Sequence, residues 1–195
     1  MIPHEVAERP GVPGTAPASR RVKVLAWAVA AWCVGFAVVN VVFEISGRFS
    51  DGPYAALAGG LAVMSWLVVG LKLLGAGTAV LTVSRRPAGV SAGVRTVLVW
   101  GAFALLALYS AGNLVELGEL MLTDPGGIDL RWLGYVGFFL AGAAGYGALA
   151  VSFARRARAR KAHMVLGVLG APLLLAGLLL AAPAVLSAMG LLPGG

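Results

Sequence analysis

The chain has 195 residues, 59% of them hydrophobic and only 12% charged, with a formal net charge of +7. That charged fraction is about half of what a soluble globular domain carries, so an ordinary soluble domain and a disordered chain are both excluded. A single cysteine excludes an internal disulfide and a cysteine-based metal site, and an integral membrane protein remains.

Residues 1–19 hold Pro3, Pro10, Pro13 and Pro17 among small and polar residues, the composition of a disordered tail. Beyond it, a bilayer-spanning helix needs about 20 mostly apolar residues. Segments 24–45, 54–83, 96–122, 132–153 and 164–192 meet that requirement. Their apolar runs are continuous and do not alternate, which predicts helices. The expected fold is therefore all-α, a bundle of five transmembrane helices within residues 20–195, with sequential helices antiparallel neighbours because their connections are short. Ser19-Arg20-Arg21 resembles a twin-arginine start and Ala28-Val29-Ala30 a cleavage site, but the apolar run continues past them, so the first span is read as an uncleaved anchor.

Twelve of the 15 basic residues precede the first span, join the second to the third, or join the fourth to the fifth. Arg48 and Arg131 lie on the opposite side and Lys72 lies within the second span. The positive-inside rule then places the chain in the cytoplasmic membrane, N-terminus in the cytoplasm and C-terminus outside. The positive charge is thus a topology signal and predicts no nucleic-acid partner. Lys72 is expected near the cytoplasmic headgroups, its amine snorkelling towards them.

Aligning Asn40 with Asn113 brings Asp51-Gly52-Pro53 over Asp124-Pro125-Gly126, since both asparagine-to-aspartate separations are 11. Segment 77–86 resembles 145–156 with small gaps, so the first two spans read as a diverged tandem copy of the next two, against a background of low-complexity coincidence. Gly137, Ala141 and Gly145, and Gly75 and Ala79, recur every four residues. Such faces serve close helix packing, inside the bundle in preference to a dimer. Pro172 and Pro183 are tolerated in the fifth span or kink it. Trp27, Trp100, Trp132 and Tyr54 read as interfacial anchors. Cys33 reads as a small apolar packer, and Tyr109 and Tyr146 each need a hydrogen-bond partner.

Six of the eight acidic residues fall in the outer half of the chain. Asn40, Glu44 and Arg48 share one face of the first span; Asn113, Glu116 and Glu119 share a face of the third. With Arg131 these seven residues define a candidate substrate-binding pocket on the outer side. Glu44 and Glu116 each lie 20 residues into their spans, about 30 Å along a helix and so near the outer interface. Two readings stand: the charges pair and cap the bundle, or close carboxylates share a proton and bind substrate or cation. No catalytic motif, metal-ligand spacing or cofactor signature accompanies them, so no catalytic residue, metal or cofactor is expected.

The stretch Asn40-Val41-Val42-Phe43-Glu44-Ile45-Ser46-Gly47-Arg48-Phe49 resembles a pattern in small uncharacterised bacterial multipass membrane proteins. There a first helix ends in a polar-aromatic cluster followed by glycine and a basic or aromatic residue. Gly137-Phe138-Phe139-Leu140-Ala141-Gly142, ending in Arg155-Arg156, is similar as well. Glu44 and Ser46 replace the pattern's tryptophan and second glycine. The resemblance covers two short stretches and implies a four- or five-helix family with no assigned activity. The expected function is a non-enzymatic accessory or partner-binding membrane protein, with membrane lipids and a membrane-protein partner or second copy as its partners. The alternatives are a transporter or substrate-binding subunit using the outer acidic pocket, and a membrane enzyme acting on a lipid-soluble substrate through Glu44 and Glu116.

Overall fold

The structure, a computed structural model, describes residues 16–47, 58–84, 89–123 and 129–188. Five helices account for almost all of them: α1 (Arg20–Ile45), α2 (Ala58–Leu81), α3 (Ala92–Thr123), α4 (Leu130–Ala157) and α5 (Lys161–Ala188). The first four are long and apolar enough to cross a membrane. Helix α5 is 28 residues long, and Lys161–Gly177 is an apolar stretch within it.

Helix ends follow capping chemistry and not the limits of the apolar runs. The Val22 N–H donates to Ser19 Oγ at 3.4 Å, the Val94 N–H to Ser91 Oγ at 3.3 Å and the Trp132 N–H to Asp129 Oδ1 at 2.7 Å. So α1, α3 and α4 each start a few residues before the apolar segment. Residues 1–15 of the expected tail lie outside the described residues; 16–19 run without helix into the Ser19 cap.

The helices form a ring. Helix α1 packs on α2 and α4, α3 packs on α4 and α2, and α5 packs on α3 outside the ring, so the expectation that a short connection makes α4 and α5 packed neighbours does not hold: the connection fixes direction, not partner. Helices α1, α3 and α5 start at one end of the bundle, where the arginine and lysine clusters gather; α2 and α4 finish there. We call this the basic end and the other the acidic end.

This contact pattern is what a two-fold axis through the ring would produce, exchanging α1 with α3 and α2 with α4. The register set by Asn40 and Asn113 holds inside the ring. Ala26, Val29, Ala30, Cys33 and Ala37 face the core of α1, and Val99, Ala102, Phe103, Leu106 and Ser110 occupy the matching positions of α3. Asn40 Nδ2 donates to Phe36 O at 2.9 Å and Asn113 Nδ2 to Tyr109 O at 3.0 Å, the same bond made twice.

The core joins Ala26, Val29, Ala30 and Cys33 of α1 to Ala76 and Ala79 of α2, Val99 of α3, and Tyr146, Leu149, Ala150 and Phe153 of α4. Small residues set the helix separations, which raises dispersion contact where no hydrophobic drive exists. A Cβ on Gly145 would stand 2.7 Å from Val29 Cγ2, and one on Gly142 2.7 Å from the Trp32 ring. Of the expected stripe Gly137, Ala141 and Gly145, only Gly145 packs; Gly137 and Ala141 face outwards. The packing face of α4 is Gly142, Gly145 and Tyr146, since 3.6 residues per turn carries a strict four-residue stripe off its face. Gly75 and Ala79 pack inside the ring as expected.

Candidate functional site

Four places hold polar groups or uncovered surface that the ring does not need for simple packing. The first is the acidic end. Arg48 lies outside the described residues. Glu44 is half-buried, while Glu116, Glu119 and Arg131 are exposed. Asn40 is half-buried and Asn113 buried, and each amide is engaged by its own helix. Helices α1 and α3 stand across the ring from each other, and α4 aromatic rings lie between them. Phe139 sits 5.5 Å from the Phe36 ring on α1 and 4.6 Å from the Tyr109 ring on α3. Tyr135 stacks edge-on with Phe139 at 4.9 Å, and its hydroxyl bonds that of Tyr109. An aromatic layer therefore fills the ring beneath the carboxylates.

The second place is Lys72. Its Nζ stands 4.4 Å from the Trp32 ring centre, 4.5 Å from that of Phe36 and 5.2 Å from that of Phe139. Lys72 is half-buried. It lies nine residues before the end of α2, about 13 Å from the basic end along the helix. The amine does not snorkel to the headgroups of the basic end. Helical side chains tilt towards their own N-terminus, and the N-terminus of α2 is at the acidic end, so Lys72 is aimed into the aromatic layer. One turn nearer the basic end, Cys33 Sγ and Tyr146 Oη lie 3.1 Å apart, both buried. Cys33 is thus the partner that Tyr146 requires, as well as a packer.

The third is the basic end. Arg95 Nη1 donates to Leu81 O at 3.5 Å and Arg156 Nη2 to Thr82 O at 3.0 Å. These carbonyls close α2, where a cation also meets the negative end of the helix dipole. Both guanidinium groups lie over the Phe153 ring, at 5.4 and 5.7 Å. Arg156 Nη1 donates further to Ala16 O at 3.4 Å, tying residues 16–19 to α4.

The fourth is the outside of α1. Gly101 of α3 is buried where α5 docks, and Ala104, one turn on, is buried too. A Cβ on Gly167 of α5 would stand 2.6 Å from Val97 O and 2.8 Å from Trp100 Cβ, and one on Gly101 would stand 3.0 Å from Ala171 Cβ. The two-fold register maps Val97, Trp100, Gly101 and Ala104 onto Val24, Trp27, Ala28 and Ala31. All four of those are exposed, Val24 at 62% and Trp27 at 63%. Nothing in the described chain covers that face as α5 covers its counterpart.

Trp32, Phe36, Phe138 and Phe139 were not legible as a site from spacing alone. Their signal is a Trp-Phe pair four residues apart in one span, with a lysine in the next. Comparison with protein-family models, with curated proteins and with solved structures finds no match. What the fold defines is a class: an all-helical multipass membrane bundle.

Proposed function

We propose that the chain is a small non-enzymatic accessory protein of the cytoplasmic membrane, which binds a transmembrane helix of a partner protein against α1. One observation carries this reading: among the described residues the α1 face of Val24, Trp27, Ala28 and Ala31 is uncovered, whereas its counterpart on α3 holds a helix. In lipid, helices associate through close backbone approach at small residues. Ala28 and Ala31 supply that surface, as Gly101 does for α5. The fitting partner is an apolar helix with small residues spaced like Gly167 and Ala171. The charge asymmetry supports a cytoplasmic basic end, five spans and an outside C-terminus. The resemblance to small multipass bacterial membrane proteins is in keeping with it.

A photo-crosslinking residue placed at Ala28 or Ala31 in cells tests the proposal, with Leu108 as a lipid-facing control. The expected result is a discrete protein adduct at the α1 positions that Leu108 does not give and that, for the residue at Ala31, a second change at the counterpart of Gly101, Ala28→Leu, removes. An adduct of twice the chain's own mass would make the partner a second copy. Lipid adducts alone at all positions overturn the reading. The transporter and enzyme alternatives draw less support: the Asn40 and Asn113 amides are engaged by their own helices, and Glu116 and Glu119 are exposed.

A further inference from the structure

On the surface of α4, an open groove of about 520 Å³ is lined by Gly147, Ala148, Val151, Ser152, Arg155 and Arg156. These positions follow one another as pairs four residues apart, so they form a single face of the helix. Ala148, small and exposed, leaves the groove open on its outer side, while Gly147 lets the Phe103 ring close against the helix behind it. Its character changes along the helix: apolar from Gly147 to Val151, a hydroxyl at Ser152, then two guanidinium groups at the basic end.

Among the described residues no carboxylate neutralises the charges there. The acidic residues among those described are Glu44, Glu116, Glu119 and Asp129, and all four belong to the acidic end. Arg155 is exposed and makes no bond among the described residues. Arg156 uses both terminal nitrogens on carbonyl oxygens, while its Nε is buried without a partner. Arg95 is also buried, shares the Phe153 ring with Arg156, and has an unpartnered Nε of its own. Carbonyl oxygens are dipoles and leave a net positive charge beside an apolar channel.

We propose that this groove binds an anionic phospholipid of the leaflet at the basic end. One acyl chain lies along Gly147, Ala148 and Val151, and the headgroup phosphate sits against Ser152, Arg155 and Arg156. The dimensions agree. From Gly147 to Arg155 is about 12 Å along the helix, and one leaflet's share of the hydrocarbon core is about 15 Å. The open side of the groove admits a lipid laterally from the bilayer. Charge selects the headgroup, because cations at a membrane surface favour anionic over zwitterionic lipid.

The test is native mass spectrometry of the purified full chain, released from nanodiscs of mixed phosphatidylglycerol and phosphatidylcholine. The chain is expected to retain phosphatidylglycerol in preference. Arg155→Gln, at an exposed position, is expected to lower that retention about 5-fold. Ala148→Leu, which fills the groove at another exposed position, is expected to abolish it without unfolding the chain. Arg160→Gln, basic but outside the groove, is expected to change nothing. Equal retention of both lipids overturns the proposal. So does an Arg160→Gln effect as large as that of Arg155→Gln, which would mean diffuse attraction. Displacement of the lipid by millimolar inorganic phosphate, with Ala148→Leu silent, overturns it too, since the ligand would then be a free anion.

Discussion

At the scale of single residues, Lys72 shows how a charge is kept inside an apolar layer. Three ring faces stand in for water, and a desolvated cation over an aromatic face gains about 2 kcal/mol or more. Lys72→Met keeps the volume and removes both the charge and its desolvation cost, so it is expected to leave thermal stability in detergent unchanged or slightly raised. Phe36→Leu is expected to cost more in the native chain than in the Lys72→Met background, with a coupling of about 1–2 kcal/mol in the double-mutant cycle. Equal costs in both backgrounds would mean the rings are mere packing. Cys33 offers a second readout. It is buried against Tyr146, and a Cβ on Gly75 would stand 2.7 Å from the Tyr146 hydroxyl and 3.2 Å from Cys33 Sγ. Maleimide labelling of Cys33 is expected to be slow in the native chain and many-fold faster in Gly75→Ala. The presence of these residues was legible in the sequence; their company was not. Cys33 and Tyr146 are 113 positions apart, and nothing in local spacing joins them. The depth of the Lys72 amine is not legible in the sequence, because chain distance from the span's start says nothing of where the amine points.

Among the described residues, α5 is the element that packs chiefly on one neighbour, α3. It runs parallel to α3, in a register fixed by Gly93 against His163 and by Gly101 against Gly167 and Ala171. A methyl on Gly167 would meet backbone at 2.6 Å, whereas one on Gly170 would meet only Leu166 of its own helix at 3.7 Å. Gly167→Ala is therefore expected to lower stability by about 1–3 kcal/mol, read as a lower melting temperature in detergent. Gly170→Ala is expected to be neutral or mildly stabilising, because alanine is the better helix former. Helix existence and rough extent were plain from apolar runs, but their ends were not. Capping by Ser19, Ser91 and Asp129 sets where α1, α3 and α4 start, and polar residues fit a helix as well as apolar ones do once the helix leaves the lipid. The stripe through Gly137 and Ala141 misled for a similar reason, since a repeat of four drifts around a helix of 3.6 residues per turn.

Across the whole molecule, the register of Asn40 on Asn113 carries over from sequence to packing. The same offset pairs Phe36 with Tyr109, and both rings pack on Phe139. The offset also pairs Trp27 with Trp100, yet one is exposed and the other half-buried, because α5 covers only one of the two faces. The candidate pocket of the acidic end was drawn from helix faces alone, and faces do not reveal which helices stand across the ring from one another. Orientation is a separate matter from the bundle. A phosphatase reporter fused after Gly195 is expected to be active outside the membrane, and one inserted at 158–160 to be silent there. The reverse result would invert the proposed topology.

The aromatic surroundings of Lys72 bear on how the chain enters the membrane during synthesis. Two of its three rings, Trp32 and Phe36, belong to α1, which emerges from the ribosome before α2. When α2 reaches the insertion machinery, its lysine meets a waiting partner instead of bare lipid. The first hairpin thus carries most of the shelter for its own charge, and Phe139 closes it only after α4 has arrived. Replacing Trp32 and Phe36 with leucine would leave α2 to partition with an unsheltered lysine, a penalty of about 2.5–3.5 kcal/mol at a helix centre. The defect would then appear as failed insertion of the second helix, before any folded bundle exists.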